Sequence, residues 1–355
     1  MDFELEKILR PHILQIKPYS SARDEYTGKV GVFLDANENP YGALTGEAFN
    51  RYPDPYQTDI KDKLAQLKGL HGTQIFLGNG SDEAIDLLMR AFCVPGKDNI
   101  ILLPPTYGMY EVSASINEIA IKKVELSEDF QLRTDAVLEA ADAFTKIIFI
   151  CSPNNPSGNK MDREAIRKII RSFHGLVVVD EAYIDFSDEP SFTNELSAYP
   201  NLVVMQTFSK AWGLASLRIG MAFASDKIIR ILNLIKPPYN ISGLTQQKVL
   251  ESLAQADKIE AIVKKILTER IYLEDELDNL SFVLKIYPSH SNFLLVKMDH
   301  ARRIYEYLIH DMIIIRDRSK VILCEDCLRI SVGTREENEQ LIESLKRYEP
   351  IIKNL

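Results

Sequence analysis

The sequence predicts an α/β protein: a large unit with a mostly parallel sheet flanked by helices, followed by a smaller α+β unit. Three observations carry that expectation. Short apolar runs alternate with amphipathic helical stretches through the middle of the 355-residue chain, the pattern of strands buried on both faces. Each unusual polar cluster falls just after one of these runs, where open α/β sheets bind ligands. Beyond about residue 227 the alternation stops, and a helical stretch of about 242–278 contains no strand.

In chain order, strands are expected at QIFL (74–77), NIILL (99–103), KIIFI (146–150), LVVVD (176–180), NLVVMQ (201–206) and GMAFAS (220–225). Between the first two, Ala84, Leu87, Leu88 and Ala91 fall on one helical face. A second helix is expected over 162–172. The later part reads as SFVLKIYP, SNFLLVKM, a helix near 300–310, MIIIRDR, CLRISVG and a final helix. The division that follows is a large unit of residues 29–235, and a small unit of residues 1–28 with 236–355. Residues 1–28 cannot form a core alone and are expected to pack on the small unit.

With 46% hydrophobic and 26% charged residues the chain is globular rather than disordered. A net charge of -9 excludes a general nucleic-acid surface. It does not exclude small anionic substrates, because local arginines decide those. The start MDFELEKILRPH lacks the basic-then-apolar order of a signal peptide, and no apolar run is long enough to span a membrane. A cytoplasmic protein is expected. Of four cysteines only Cys324 and Cys327 are paired in sequence, and six histidines are scattered, so plain thiols and no metal are expected.

Gly78-Asn79-Gly80-Ser81-Asp82-Glu83 opens a helix. Glycines allow close backbone approach, and the free N–H groups of a helix start attract phosphate; an ordinary cap at Ser81 is the plainer alternative. Asp180 ends an apolar strand, and Lys210 follows another, with Arg218 eight residues on. Burial there would depress the lysine pKa and make the amine a nucleophile. Asn155, Asp180 and Lys210 each follow a strand, so all three can converge. An acid, a lysine and an anion site meet the needs of pyridoxal phosphate.

LDANENP (34–40), RYPDP (51–55), GNGSDE (78–83), PPTYGMY (104–110), SPNNPSG (152–158), VVDEAYIDF (178–186), TFSKAWGLASLRIG (207–220) and CLRISVGTREEN (327–338) occur in that order. On these motifs the chain resembles the fold-type I pyridoxal-phosphate-dependent aminotransferases, within them the histidinol-phosphate aminotransferase family, nearly end to end. The resemblance implies that Lys210 carries pyridoxal phosphate as a Schiff base, that Asp180 pairs with the ring nitrogen, and that Asn155 and Tyr183 contact the phenolic oxygen. Tyr107 would stack on the ring, while Gly80, Ser81, Asp82, Ser209 and Arg218 would surround the phosphate. Tyr52 would reach the cofactor of a neighbouring subunit, implying a homodimer. Arg329 would take the donor carboxylate, and Tyr19, Asn37 and Arg316 would line the substrate pocket. The implied reaction converts L-histidinol phosphate and 2-oxoglutarate to imidazole-acetol phosphate and L-glutamate.

Three departures stand out: Ser157, Trp212 and Ser216 replace the threonine, phenylalanine and glycine usual at these places. An aromatic-amino-acid aminotransferase and a phospho-amino-acid decarboxylase stay open as alternatives on the same scaffold. A catalytically silent binding protein is disfavoured by the retention of Lys210, Asp180, Tyr183 and Arg218 together. Arg316 has a bland alternative as a surface partner of Asp317, and Tyr107 as a core aromatic.

Overall fold

The computed structural model describes residues 3–17, 31–47 and 49–352. Its larger sheet has seven strands: β1 (Ile75–Asn79), β2 (Asn99–Leu102), β3 (Ala120–Lys123), β4 (Thr145–Cys151), β5 (Leu176–Asp180), β6 (Leu202–Thr207) and β7 (Ile219–Phe223), in the order β1-β7-β6-β5-β4-β2-β3. All neighbours are parallel except β7, which runs against both β1 and β6. The expected mostly parallel sheet is therefore present. β3 had no counterpart in the sequence reading. As an edge strand it needs no apolar run, and its AIKK segment is partly exposed throughout.

Strand alternation sends side chains to two separate cores. On β5, Leu176 and Val178 join one, and Val177 and Val179 join the other. The β4, β5 and β6 carboxyl ends lie side by side, with Asp180 paired between Cys151 and Met205. That register, set by buried valines and isoleucines, brings polar residues distant in sequence to one sheet edge.

The helical stretch expected over 242–278 is two helices, Gly243–Leu253 and Ile259–Asp278, joined by a 3-10 turn at Ala256–Lys258. The break has a packing cause. Val249 and Leu253 enter a core of the large sheet, whereas Leu273 and Leu277 enter the core of the second sheet. One straight helix cannot serve both.

The second sheet contains β8 (Val283–Ile286), β9 (Phe293–Met298), β10 (Arg316–Asp317) and β11 (Cys327–Ser331), in the order β10-β11-β9-β8 and antiparallel throughout. Leu294, Val296, Met298, Leu328 and Ile330 form a core with Leu277, Leu308 and Leu345 of three covering helices. From the same strands Leu295 and Cys327 join the large unit's core instead. The two faces of this small sheet thus bind different parts of the molecule.

The described part of the N-terminal segment does not pack on the small unit as expected. Leu5, Leu9 and Ile13 are buried in a core of the large sheet. Arg10 donates its backbone N–H to the Ala91 carbonyl at 3.0 Å and its Nη1 to the Arg90 carbonyl at 2.8 Å. The segment's few apolar side chains find the end of helix Ser81–Phe92, a site that sequence periodicity does not reveal. Among the described residues no helix is long and apolar enough to cross a membrane.

Candidate active site

A cleft of about 630 Å³ opens at the carboxyl ends of the central strands. Its anionic-ligand end is built by β1, β7 and helix Ser81–Phe92. Gly80, with φ +77, is the N-cap of that helix, and no side chain caps the first turn. Arg218, with φ +51, accepts the Gly80 N–H on its carbonyl at 2.9 Å. A Cβ at Gly80 would lie 2.8 Å from Arg218 Nη2, and one at Gly220 would lie 2.2 Å from the Ser81 backbone nitrogen. The glycines are therefore required by close approach: free helix N–H groups and a guanidinium share a space that no side chain fills. Ser81 and Ser209 line the same end, and the Ser209 N–H is held by Thr207 Oγ1 at 3.0 Å.

Asp82 lies 3.6 Å from Arg218 Nη2 and accepts a hydrogen bond from Tyr107 Oη at 3.2 Å. Tyr107 lines the cleft and also packs against the core beneath it, set edge-on to the buried Tyr110 at 5.5 Å. Glu83 does not line the cleft; it accepts from the Asn79 N–H and from Asn240 Nδ2 at 3.0 Å, and so braces the turn.

Asp180 is buried at the end of β5. Its carboxylate accepts from Tyr110 Oη at 2.5 Å and from the Ala182 N–H at 3.1 Å. Burial raises its pKa to about 6 despite those hydrogen bonds. In the protein alone desolvation prevails, and a cationic ring nitrogen would reverse the direction. Tyr110 was missed as a site residue, although it stands three residues after Tyr107, on the same side of a helical turn.

Lys210 follows β6, with its amine 5.5 Å from the Tyr183 ring centroid. Its pKa is lowered, first by burial and then by Arg329. Tyr183 is buried, and its hydroxyl receives Asn155 Nδ2 at 3.4 Å. Asn155 Oδ1 in turn accepts from Arg329 Nη1 at 2.6 Å. One asparagine thus ties the large sheet to β11 of the small sheet. Arg316 lies opposite Arg329 in the β10–β11 register and lines the cleft. Its bland alternative fails, because Asp317 pairs with Arg302 at 3.0 Å.

The cleft therefore gathers Lys210, Asp180, Tyr183, Gly80, Ser81, Asp82, Tyr107, Asn155, Ser209, Arg218, Arg316 and Arg329. Tyr52 and Asn37 do not line it: Tyr52 is half exposed and stacks on Tyr239 at 4.5 Å, and Asn37 is exposed with φ +54. Tyr19 lies outside the described residues. The sequence reading also omitted Thr106 and Arg318, both cleft residues. Thr106 stands in the PPTYGMY motif directly before Tyr107, and Arg318 could have been found by strand period, two residues beyond Arg316.

The model of the family described as aminotransferase class I and II matches residues 24–345. The chain belongs to the class I and II aminotransferases. It is 56% identical over 348 residues to a histidinol-phosphate aminotransferase of Cytophaga hutchinsonii, covering 98% of this chain and 100% of that one. It is 54% identical over 346 residues to a protein of the same description from Bacteroides fragilis, covering 97% and 99%. A crystal structure of histidinol-phosphate aminotransferase from Sinorhizobium meliloti in complex with pyridoxal-5'-phosphate shares the fold, with a TM-score of 0.80 at 22% identity over 96% of this chain and 97% of that one.

The residues of this aminotransferase fit pyridoxal phosphate. The uncapped helix start beside Arg218 suits a phosphate, and a buried carboxylate suits a protonated ring nitrogen. A depressed lysine amine in the same cleft suits an aldehyde carbon. The three departures leave these groups untouched. Ser157 is buried, accepting from Asn154 Nδ2 at 2.7 Å and donating to Asn159 Oδ1 at 2.5 Å. Trp212 packs edge-on to Phe208 at 5.2 Å, and Ser216 is exposed.

Proposed function

We propose that this aminotransferase converts L-histidinol phosphate and 2-oxoglutarate to imidazole-acetol phosphate and L-glutamate, using pyridoxal phosphate. The observation that carries the reading is identity of 56% and 54%, over nearly the whole chain, to proteins described as histidinol-phosphate aminotransferases. When bound, pyridoxal phosphate supplies an electron-accepting ring that stabilises the charge left as the substrate Cα–H bond breaks.

In this reading Lys210 holds the cofactor covalently, then acts as the base at Cα. Asp180, fixed by Tyr110, keeps a proton on the ring nitrogen. Tyr183 and Asn155 orient the phenolic oxygen, and Tyr107 covers the ring. Gly80, Ser81, Ser209 and Arg218 hold the phosphate. The Asp82 carboxylate would repel a phosphate directly, so its part is to offer its backbone N–H and to hold Tyr107 and Arg218 in place. Arg329 and Arg316 bind the anionic ends of the two substrates, with Tyr19 beside them, and Tyr52 serves the cofactor of a second copy in a homodimer. The protein works in the cytoplasm. We place the boundary between its units in the turn near residues 254–258 rather than at 235, with the N-terminal segment on the large side.

The test is a substrate panel with purified protein, monitored spectrally in each half-reaction. Histidinol phosphate should be consumed in the presence of 2-oxoglutarate, with ping-pong kinetics. Rapid turnover of phenylalanine or tyrosine with none of histidinol phosphate would favour the aromatic-amino-acid alternative, and carbon dioxide release would favour a decarboxylase.

Gly220→Ala tests the phosphate seat. The added methyl would press on the Ser81 backbone, so cofactor affinity is expected to fall on the order of tenfold or more. Equilibrium dialysis of pyridoxal phosphate measures it. Affinity equal to wild type would show that the turn yields without disturbing its donors.

A further inference from the structure

The cleft holds one arginine more than the proposed reaction employs. The β10–β11 ladder continues one residue past Asp317, where the Arg318 N–H donates to the Cys327 carbonyl at 2.9 Å. Strand alternation then puts Arg316 and Arg318 on one face and Asp317 on the other. Arg302 and the Ser319 N–H, at 3.0 and 2.8 Å, hold Asp317 there. On β11, Leu328 and Ile330 point into the small-unit core, which turns Arg329 to the opposite side. All three arginines line the same cleft.

Their charges are poorly compensated. Among the described residues no carboxylate forms an ion pair with Arg316, Arg318 or Arg329, and Arg329 spends one donor on Asn155. The Nε atoms of Arg318 and Arg329 are buried without a hydrogen-bond partner. Burying such donors unpaired is unfavourable unless an anion completes them. A carboxylate carries one charge on two oxygens and is satisfied by one or two guanidinium forks. A phosphate monoester has three terminal oxygens and gains a second charge above a pKa of about 6. Only the second ligand has use for a third fork.

We propose that Arg318 is a specificity-determining residue: with Arg316 and Arg329 it forms a three-guanidinium seat that favours a doubly charged phosphate monoester over a carboxylate. This rests on the proposed substrate class and names the residue that selects it. Arg316 and Arg329 serve either ligand, while Arg318 is engaged fully only by the phosphate.

The experiment uses the holoenzyme, in which the helix-start anion site is taken by the cofactor. Arg318→Gln and Arg318→Lys are compared with wild type in the histidinol phosphate and glutamate half-reactions, and in inhibition by inorganic phosphate. For Arg318→Gln the ratio of kcat/KM for histidinol phosphate to that for glutamate should fall on the order of 10- to 100-fold, mainly through KM. Phosphate inhibition should weaken by about tenfold, and Arg318→Lys should recover part of each loss. A ratio and a phosphate inhibition constant both at wild-type values would overturn the proposal, as would equal losses for both substrates. If wild type itself rejects histidinol phosphate, the substrate reading fails on that result alone. Phosphate inhibition against an accepted amino donor then still decides the role of Arg318.

Discussion

Lys210→Ala is expected to lower turnover on the order of 10⁴-fold or more and to abolish the near-visible absorption of covalently held cofactor. The other cations lining the cleft are guanidiniums: Arg218, Arg316, Arg318 and Arg329. A guanidinium stays protonated and cannot act as a nucleophile or base. Lys210 is different because burial and the nearby Arg329 both favour its neutral amine. Single-turnover kinetics and absorption spectra on the same preparation measure the two effects. An alanine variant that kept both the band and near-normal turnover would remove Lys210 from the mechanism. Lys210→Arg should be about as inactive as alanine, since it restores charge without a titratable amine.

The second large effect is at Asp180. Asp180→Asn is expected to reduce kcat on the order of 10²- to 10⁴-fold, because a neutral amide cannot keep the ring nitrogen protonated. The same variant should behave oppositely in stability when no cofactor is bound. The folded-state pKa of Asp180 is raised to about 6 by burial, above its unfolded value near 3.9. Between these values the folded state holds more protons than the unfolded state, so the stability contribution of Asp180 falls as pH rises. The loss is complete above about pH 6 and amounts to roughly 2–3 kcal/mol at most. Cofactor-free Asp180→Asn should therefore gain stability over wild type as pH rises from about 4 to about 6, and keep that gain at neutral pH. Urea midpoints across this range check it. A gap that shrinks as pH rises would show that Tyr110 and the Ala182 N–H, rather than desolvation, control this carboxylate.

Much of the site is legible in the sequence. Lys210, Asp180 and Arg218 stand immediately beside or within buried apolar strands, and local pattern locates strand ends well. The mostly parallel sheet follows from the same runs. β3 was not legible, because an edge strand need not be apolar. The split of the 242–278 stretch was not legible either, since helical periodicity continues while the buried partner changes from one sheet to the other. That Leu5, Leu9 and Ile13 meet the large sheet was not legible for a related reason: three apolar residues show that a segment packs, not against what.

The residues missed at the site share this origin. Tyr110 reads as a buried helical aromatic, and only the fold brings its hydroxyl onto Asp180, 70 residues away. Arg318 reads as one of many charges, until the β10–β11 pairing turns it toward the cleft with its Nε unpartnered. Lys210, Asp180 and the glycine-led helix start were already evident from chain pattern and motif resemblance, because a residue's own neighbours specify a strand end or a helix cap. The raised pKa of Asp180, the bond from Arg329 to Asn155 and the gathering of three guanidiniums depended on tertiary structure. Desolvation and charge proximity are properties of groups brought together from distant segments, and no local pattern carries them.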